Sequence, residues 1–343
     1  MTSAGVGAAN NGNEETVRLS GATVLLTGGS SGIGAATARM LADAGARILL
    51  AGRNAARLRA VAAETGGIAL AADLAAPDGP AALAEAALRA AAAWDSGGYE
   101  AAADAVPLPA RIPAPRPVPA APGLAAEEIV IATVPRPPRA VPAQAGPAQT
   151  GPAQAGPAPP PAGSRPAASG INILINNAGV GWAGPLSEMS AATIAHVIAV
   201  NLTAPIELTR LLTPALGAGG RGRIVFISSI AGTTGVTQEA VYAATKAGLG
   251  CFAESLRYEL AGTGLGVSVV VPGVVDTPFF ARRGHPYGRR RPIPVSAPRA
   301  ARAVLTAIER EQAITFVPRW FGFPAWLHGA APGTFRALAT RLG

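Results

Sequence analysis

Short apolar runs alternate with longer stretches of helical periodicity along most of the chain. Seven apolar runs of four to six residues predict β-strands, at 22–27, 47–51, 67–72, 171–176, 223–228, 267–271 and 314–317. Between them, apolar residues spaced three and four apart predict helices at roughly 33–45, 55–64, 78–93, 190–217, 238–261 and 297–311. This alternation predicts an α/β fold, in which helices cover both faces of a doubly wound parallel sheet and ligands bind at the carboxyl ends of the strands.

The alternation is interrupted once, at residues 95–169. These residues contain 18 of the 32 prolines, and GPAQT, GPAQA and GPAPP follow one another at five-residue intervals. Five acids balance five arginines, so we predict a neutral, disordered Pro/Ala-rich insertion. It is either a ligand for proline-binding partners, a spacer or a tolerated surface insertion, and we favour the last because a longer loop costs little closure entropy. The remaining organisation is a flexible N-terminus at 1–19, a single domain at 20–318 and an aromatic tail at 319–343.

Composition limits the cellular setting. The chain has 343 residues, and 49% of them are hydrophobic, which is enough for a large core. The first fifteen residues have neither a basic start nor an apolar stretch, and no run of eighteen apolar residues follows. We expect a soluble cytoplasmic protein without a metal site. The single cysteine, Cys251, lies in a helical pattern and is predicted to be a small core residue rather than a nucleophile.

The segment TGGSSGIG at 27–34 joins the first strand to the first helix. Its glycines permit a tight turn and a close approach of the backbone to a pyrophosphate, which the N–H groups at the start of the helix would face. The spacing is GxxxGxG, which differs from the GxGxxG fingerprint and from a P-loop. A plain glycine-rich turn is the alternative, but the position at the end of the first strand favours dinucleotide binding. The predicted contacts are Gly28, Ser30, Ser31, Gly32, Ile33 and Gly34.

The second strand ends at Gly52-Arg53, where a site selective for NAD(H) would present an acid to the ribose 2′-hydroxyl. A guanidinium can instead hold a 2′-phosphate in a bidentate fork. We therefore predict NADP(H) as the cofactor. The alternative is that Arg53 is a solvated residue at the start of a helix. Asp73, at the end of the third strand, either reaches the adenine edge or caps the next turn.

Lys246 is the only lysine among the 28 basic residues. Tyr242 precedes it by four residues in a predicted helix, so the two side chains share one face. A carbonyl that accepts hydride needs a proton on its oxygen, and a tyrosine, with a pKa near 10, needs a neighbouring cation to act as a base near neutral pH. A solvated surface pair is the alternative. Ser229 or Ser228, at the end of a strand, would place a hydroxyl at the same edge of the sheet.

Asn201 lies inside the predicted helix 190–217, four residues before Pro205. Because proline has no N–H, the Asn201 carbonyl loses its helical partner, and we predict a kink at this point. A freed carbonyl that faces the site can hold a water molecule. The alternative is a kink on the solvent side that has no role.

Together these motifs resemble the short-chain dehydrogenase/reductase family. The resemblance is carried by TGGSSGIG at 27–34, Asp73-Leu74, NNAG at 176–179, Asn201, Ser229, YAATK at 242–246 and PGVVDTP at 272–278. It covers about residues 20–318 and implies a Rossmann fold with a catalytic set of Asn201, Ser229, Tyr242 and Lys246. It also implies that Leu74, Asn177, Pro272, Val275 and Thr277 contact the cofactor together with Asp73, Tyr242 and Lys246. A water-mediated proton relay and a homo-oligomer formed by helices 190–217 and 238–261 are further implications.

Two regions near the C-terminus are distinguished by charge and by aromatic content. Residues 282–302 contain seven arginines and no acid, which accounts for most of the net charge of +8. No base-reading element accompanies them, so we predict a solvated substrate lid and no nucleic-acid partner, with an anionic membrane surface or an acidic substrate as alternatives. His285 and Tyr287 lie in this lid. The tail concentrates Trp320, Phe321, Phe323, Trp326 and Leu327. We expect these to pack on the substrate mouth or a second subunit rather than on lipid, and Pro324 and Pro332 argue against one continuous helix.

The sequence thus predicts an NADP(H)-dependent oxidoreductase that interconverts a carbonyl and a secondary alcohol on a small or lipophilic molecule. Tyr242 is the expected acid/base. The substrate pocket is expected to involve Val180, Trp182, Ile230, Thr233 and residues 279–295. The alternative is an NADP(H)-sensing interaction protein that recruits partners through the proline-rich insertion, but the presence of all four catalytic residues favours the enzyme.

Overall fold

The computed structural model describes residues 18–96, 170–285, 287–288 and 292–342. The predictions for the N-terminal segment 1–17, for the insertion beyond residue 96 and for the arginines at 289–291 lie outside the described residues.

Nine strands lie in the described part of the chain. They are β1 Thr23–Thr27, β2 Arg47–Gly52, β3 Ile68–Ala71, β4 Ile173–Asn176, β5 Gly222–Ile227, β6 Leu265–Pro272, β7 Val275–Asp276, β8 Val295–Ser296 and β9 Ile314–Val317. All except β7 and β8 correspond to apolar runs of the sequence. These two pair only with each other, and with two residues each they are too short to leave a periodic signal.

Eleven α-helices accompany the strands in the same described ranges. They are α1 Gly32–Asp43, α2 Ala55–Thr65, α3 Gly79–Asp95, α4 Ala191–Ile198, α5 Ala204–Gly217, α6 Ala231–Thr234, α7 Ala240–Glu259, α8 Phe279–Arg282, α9 Ala297–Glu309, α10 Gly322–Ala330 and α11 Pro332–Leu342. The single-turn helices α6 and α8 escaped the sequence pattern because four residues cannot display a 3.6-residue period.

The seven-stranded sheet has the order β3-β2-β1-β4-β5-β6-β9, and every neighbouring pair is parallel. The chain builds outward from β1 to β3, returns to the other side of β1 at β4, and continues outward to β9. The loops that follow β1 and β4 therefore diverge and leave a crevice at the carboxyl ends of these strands. This order confirms the predicted doubly wound sheet and locates its switch point.

Alternate residues of the strands enter two separate cores, one on each face of the sheet. Leu25 of β1 packs with Phe226 of β5 beneath α3, α5 and α7, whereas Leu26 packs with Ile48 of β2 beneath α1, α2 and α9. None of these four residues is more than 1% exposed. Burial on both faces requires continuous apolar runs, which is why the strands were legible in the sequence.

The predicted helix at 190–217 is continuous over Ala191–Gly217 but changes its winding once. A π-helical turn at Ala199–Thr203 separates α4 from α5 and contains Asn201. The predicted disturbance at Pro205 therefore takes the form of a widened turn. By length and composition alone this stretch could cross a membrane, a criterion that core helices of soluble proteins also meet. Here it packs against α3, β4 and α7.

One expectation about side-chain burial is wrong. Cys251 is exposed on α7, because Leu249 and Ala253 occupy the side of the helix that faces the core. The tail forms two helices that break before Pro332, as expected, and in the single chain Trp320, Phe323 and Trp326 are exposed, so their packing on a second subunit stays a prediction. Periodicity marks these aromatic residues as one face of a helix but does not say what covers that face.

Candidate active site

The glycine-rich loop connects β1 to α1 at the switch point. Gly28 and Gly32 have φ angles of +69° and +56°, which strain any residue with a side chain. A Cβ on Gly34 would lie 2.2 Å from the Gly28 carbonyl oxygen, so the loop and the helix meet backbone to backbone. Ser31 precedes α1 and its side chain makes no capping hydrogen bond. The first N–H groups of α1 are therefore available to an anion.

Asn177, which follows β4, braces this loop. Its side-chain amide donates to the carbonyl oxygens of Thr27 at 2.9 Å and Gly28 at 3.2 Å. In return, Thr27 Oγ1 accepts from the backbone N–H groups of Asn177 and Ala178, both at 3.0 Å. The sequence predicted a cofactor contact for Asn177. In the structure, the Asn177 side chain instead links the end of β4 to the end of β1, the two strands that flank the crevice.

Ser229, Tyr242 and Lys246 come together at the carboxyl end of β5. Tyr242 and Lys246 lie on one face of α7, and they are 8% and 4% exposed. The Ser229 hydroxyl lies beside the Tyr242 phenol, where it lowers the pKa of the tyrosine. The Ser228 hydroxyl instead donates to the Lys246 carbonyl oxygen at 3.0 Å. Of the two serines that the residues alone left open, Ser229 faces the tyrosine and Ser228 fixes α7 to the strand.

The electrostatics of this cluster differ from the expectation. Lys246 Nζ donates to the Ile227 carbonyl at 2.8 Å and lies 5.9 Å from the centre of the Tyr242 ring. Burial raises the pKa of Tyr242 to about 12, and the hydrogen bond with Ser229 is the largest opposing influence. Burial also lowers the pKa of Lys246 to about 8. The expectation that the ammonium makes the phenol acidic is therefore wrong, because removal from water has the larger effect.

Asn201 is fully buried and holds the loop that follows Ala178. The Val180 N–H donates to Asn201 Oδ1, and Asn201 Nδ2 donates to the Val180 carbonyl, each at 2.8 Å. Nδ2 also donates to Thr245 Oγ1 at 3.3 Å, next to Lys246 in α7. The side chain thus ties the loop, the π turn and α7 together. The predicted relay concerns the backbone carbonyl of Asn201 and stays a prediction.

The edge of the sheet after β2 is positively charged. Arg53 is exposed and precedes Asn54, whose side chain caps α2 by accepting from the Arg57 N–H at 2.9 Å. The pKa of Arg282 is lowered by burial first and then by Arg57 and Arg53, so the three guanidinium groups lie within electrostatic reach of one another. In the part of the chain that the structure describes, neither Arg53 nor Arg282 has an acidic partner.

Asp73 caps the turn after β3, where its Oδ1 accepts from the Ala75 N–H at 3.1 Å. Leu74 is 6% exposed and belongs to the core, so only its backbone is available to a ligand. His196 of α4 lies near Asp73 and Arg53: its pKa is lowered by burial, then by Arg53, and raised by Asp73. Sequence reasoning missed His196, for which the only signal was one polar residue in an apolar helix.

The segment after β6 meets the glycine-rich loop from the other side of the crevice. Pro272 ends β6, and its carbonyl accepts from the Ile230 N–H at 2.9 Å. Val275 is buried and pairs with Val295. Thr277 lies against Gly32, where an added Cβ would be 3.0 Å from Thr277 Cγ2. The cofactor contacts predicted on the two loops are therefore neighbours.

Two consecutive arginines fasten the lid helix α8 to both sides of the cleft. Arg282 Nη2 donates to Ser31 Oγ at 3.1 Å. Arg283 forms an ion pair with Glu239, with side chains 10% and 12% exposed. The ring of Phe279 lies 5.5 Å from that of Tyr242. Sequence reasoning predicted a lid but missed these attachments. The available signal was an arginine pair without local acids. Because the Arg283 side chain is largely buried, it needs an acidic partner from elsewhere in the fold.

An apolar cavity of about 200 Å³ opens beside the start of α7. Its walls include Trp182, Leu186, Met189, Gln238 and Val241. Val241 immediately precedes Tyr242 in α7, but Tyr242 itself is not one of the residues that line the cavity. Of the predicted pocket residues Trp182 contributes to the walls, whereas Val180, Ile230 and Thr233 do not. In the lid, His285 is exposed and Tyr287 donates to the Pro292 carbonyl at 2.9 Å.

The sheet order and the polar cluster at the carboxyl end of β5 define a doubly wound α/β protein that carries a serine, a tyrosine and a lysine at the carboxyl edge of its sheet. Residues 22–95 and 164–287 match the family model described as short chain dehydrogenase. These two segments make up more than half of the chain. The protein therefore belongs to the short-chain dehydrogenase family.

Individual relatives resemble parts of the chain more closely. Ketoacyl reductase HetN from Nostoc sp. is 48% identical over 106 residues, which are 31% of this chain and 37% of that protein. Retinol dehydrogenase 8 from Bos taurus is 38% identical over 109 residues, which are 32% of this chain and 35% of that protein. The matches thus span about a third of these curated relatives. A solved short-chain dehydrogenase from Sphingobium yanoikuyae in complex with NADPH is 26% identical, with a TM-score of 0.60, and the match covers 91% of this chain and 96% of that one.

Proposed function

We propose that the protein is an NADP(H)-dependent oxidoreductase that interconverts a carbonyl and a secondary alcohol on a small or lipophilic molecule. The observation that carries this proposal is the buried cluster in which Ser229 lies beside the Tyr242 phenol and the Lys246 ammonium lies 5.9 Å from the tyrosine ring centre, at a glycine-lined crevice. The partial similarity to a ketoacyl reductase and to a retinol dehydrogenase supports the same reaction class.

The residues of the crevice fit a nicotinamide dinucleotide. The uncapped start of α1 offers N–H groups to a pyrophosphate, and Gly34 keeps side chains out of the turn. Val275 and Thr277 would hold the carboxamide from the opposite side. When bound, the cofactor would donate or accept hydride at the substrate carbon. The NADPH complex of the Sphingobium relative supports this cofactor class.

The state of Tyr242 favours proton donation. With its pKa raised to about 12 by burial, the phenol keeps its proton at physiological pH. During carbonyl reduction the phenol O–H bond would break as the substrate oxygen gains the proton, while Ser229 donates a hydrogen bond to the same oxygen. The phenolate would then form near the Lys246 ammonium, 5.9 Å from the ring centre, where opposite charges attract. Lys246 thus stabilises the negative charge when it forms rather than beforehand.

Asn201 would return a proton to the site through a water held on its backbone carbonyl. Gly179 lies between Asn201 and Lys246, and a Cβ there would be 3.5 Å from Asn201 Oδ1 and 3.6 Å from Lys246 Nζ. The Asn201 side chain and the Lys246 ammonium thus both lie close to the same backbone position. A water held on the Asn201 carbonyl would complete the proposed path toward Lys246 and Tyr242.

The preference for NADP(H) over NAD(H) is inferred from charge. Arg53, Arg57 and Arg282 come from the β2–α2 turn, from α2 and from α8, and they lie within electrostatic reach of one another. A 2′-phosphate is a dianion, and guanidinium groups bind such groups through charge-assisted hydrogen bonds. The cluster therefore favours the phosphorylated cofactor.

The proposal is tested by the oxidation of NADPH with a panel of ketones and aldehydes. Tyr242→Phe removes the transferable proton but keeps the ring, so we expect turnover to fall by roughly a hundredfold or more while NADPH binding persists. Tyr258→Phe is the matched control, because Tyr258 is 71% exposed at the end of the same helix. It should behave like the unmodified protein.

Two results would overturn the proposal. Equal turnover by Tyr242→Phe and the unmodified chain would remove the tyrosine from the chemistry. NADPH binding without turnover of any compound in the panel would favour the cofactor-sensing protein instead.

A further inference from the structure

Three aromatic side chains of the tail form an exposed patch, which we call the aromatic patch. Trp320, Phe323 and Trp326 are 58%, 65% and 64% exposed, and the Phe323 and Trp326 rings are 6.0 Å apart. Phe321, in the same segment, is only 7% exposed. The tail is therefore anchored by one aromatic residue and presents three others outward, an arrangement that is unfavourable in water unless another apolar phase covers it.

The aromatic patch lies beside the active site. Helix α10, which carries Phe323 and Trp326, packs against α6, two residues beyond Ser229. The ring of the anchoring Phe321 lies directly over Gly273, between β6 and β7. A surface that docks on the patch would thus lie next to the carboxyl edge of the sheet, where the crevice opens.

The segment that carries the aromatic patch has charges of one sign. The chain has no acidic residue after Glu311, whereas the tail itself contains Arg319, Arg336 and Arg341. Arg319 is exposed immediately before Trp320. A second copy of the chain docked about a twofold axis would bring this cationic surface against itself, which costs electrostatic energy. An anionic surface is complementary to it.

We propose that the aromatic patch docks the protein on the surface of an anionic lipid bilayer. Tryptophan and phenylalanine prefer the boundary between lipid headgroups and acyl chains, and nearby arginines are attracted by anionic headgroups. Helices α10 and α11 have 9 and 11 residues, so each is shorter than about 17 Å and cannot cross a hydrocarbon core of about 30 Å. The two helices therefore lie on the bilayer, with the crevice facing a phase in which lipophilic carbonyl compounds dissolve.

The docking is tested with the full chain and vesicles of phosphatidylcholine, alone or mixed with phosphatidylglycerol. We expect co-sedimentation with the mixed vesicles, weaker binding as ionic strength rises, and little binding to phosphatidylcholine alone. Replacing the patch with Trp320→Ser, Phe323→Ser and Trp326→Ser together should weaken binding on the order of tenfold or more. Tyr258→Ser, an equally exposed aromatic residue outside the patch, should bind like the unmodified chain.

A second measurement needs no substitution. Brominated acyl chains in the mixed vesicles should quench the fluorescence of the unmodified protein, because two of its four tryptophans belong to the patch. Absence of both co-sedimentation and quenching would overturn the proposal. It would also be overturned if the triple variant bound as tightly as the unmodified chain, or if it changed the mass of the protein in solution, which would identify the patch as a contact between copies. None of these results depends on turnover, so they are separate from the test of the proposed function.

Discussion

The two sides of the cleft are held by different kinds of contact. On the cofactor side, which we define as residues 27–34 and 176–180, backbone atoms pack directly on backbone atoms and Asn177 ties the loops together. On the substrate side, residues 181–189 and 279–285, backbone hydrogen bonds also occur, but the other contacts are made by side chains, chiefly the Arg283–Glu239 ion pair and the ring of Phe279. Backbone atoms in direct contact cannot separate unless the loops themselves move, whereas side chains can change rotamer. The cofactor side should thus be rigid and the substrate side adaptable.

The largest expected effect is on stability, when a glycine on one side of the cleft or the other is replaced by alanine. In Gly34→Ala the new Cβ would meet the Gly28 carbonyl oxygen at 2.2 Å, and backbone cannot give way there. In Gly181→Ala it would meet Phe279 Cζ at 2.6 Å, at the far end of a ring that can turn. We expect a loss of about 3 kcal/mol or more for Gly34→Ala and less than about 1 kcal/mol for Gly181→Ala, measured by urea unfolding. Similar losses of stability at both positions would show that the substrate side is no more adaptable than the cofactor side.

Lys246, at the boundary of the two sides, should give the next largest effect through pH. Because burial lowers its pKa from 10.5 to about 8, the unfolded chain binds more protons than the folded one between these values, and the free energy of unfolding rises with pH. Lys246→Met removes this term. From pH 8 to pH 10 the free energy of unfolding of the unmodified chain should rise by roughly 2 to 3 kcal/mol relative to that of the variant.

The upper limit of that window is set by Tyr242. Its raised pKa works in the opposite sense: the unfolded chain loses the phenol proton from about pH 10, so stability falls from there toward pH 12 in both proteins. Urea unfolding at several pH values between 8 and 10 isolates the lysine. Parallel pH curves for the two proteins would show that Lys246 is not desolvated as described.

Arg53 tests whether the charge at the edge of the cofactor side selects the cofactor. Arg53→Ala removes one of three guanidinium groups, and we expect the KM for NADPH to rise about tenfold with little change for NADH. Arg59→Ala, an exposed arginine of the same α2, is the matched control and should alter neither value. An equal rise for both cofactors would assign Arg53 to the pyrophosphate or to the fold instead.

The smallest effect is expected from the ion pair that fastens the lid. Glu239→Gln leaves Arg283 without its partner, so we expect the substrate KM to rise several-fold with little change in kcat. The lost carboxylate also lowers the pKa of Tyr242, which should shift the pH profile of turnover downward. Glu207→Gln breaks the exposed pair with Arg210 and should change neither. An unchanged KM in Glu239→Gln would mean that the pair does not hold the lid.

Much of the fold could be predicted from the sequence because strands and helices leave patterns among neighbouring residues. Strands buried on both faces require continuous apolar runs, and those runs located all seven strands of the sheet within a few residues. The glycine-rich loop could be placed at the carboxyl edge of the sheet because it directly follows the first strand in the sequence. The one-face placement of Tyr242 and Lys246 followed from helix geometry.

What the sequence could not supply depends on contacts between distant segments. The direction of the Tyr242 pKa shift reflects how completely the fold removes the phenol from water, which no local spacing encodes. The partner of Arg283 is 44 residues away in the chain. Periodicity also cannot tell an apolar face that packs on the core from one that faces outward, so the sequence alone does not say what covers Trp320 and Phe323.

The anchoring of α3 has a consequence for where the domain tolerates additional chain. Arg47, the first residue of β2, pairs with Asp95 at 2.7 Å and lies 5.7 Å from the centre of the Trp94 ring. Ser96 and Gly170, which flank the insertion, therefore lie at the edge of the sheet opposite the crevice. Chain added between these two residues begins and ends away from the chemistry, so its length can change without interrupting an element that carries a catalytic residue. The same position is a natural place to insert a reporter sequence.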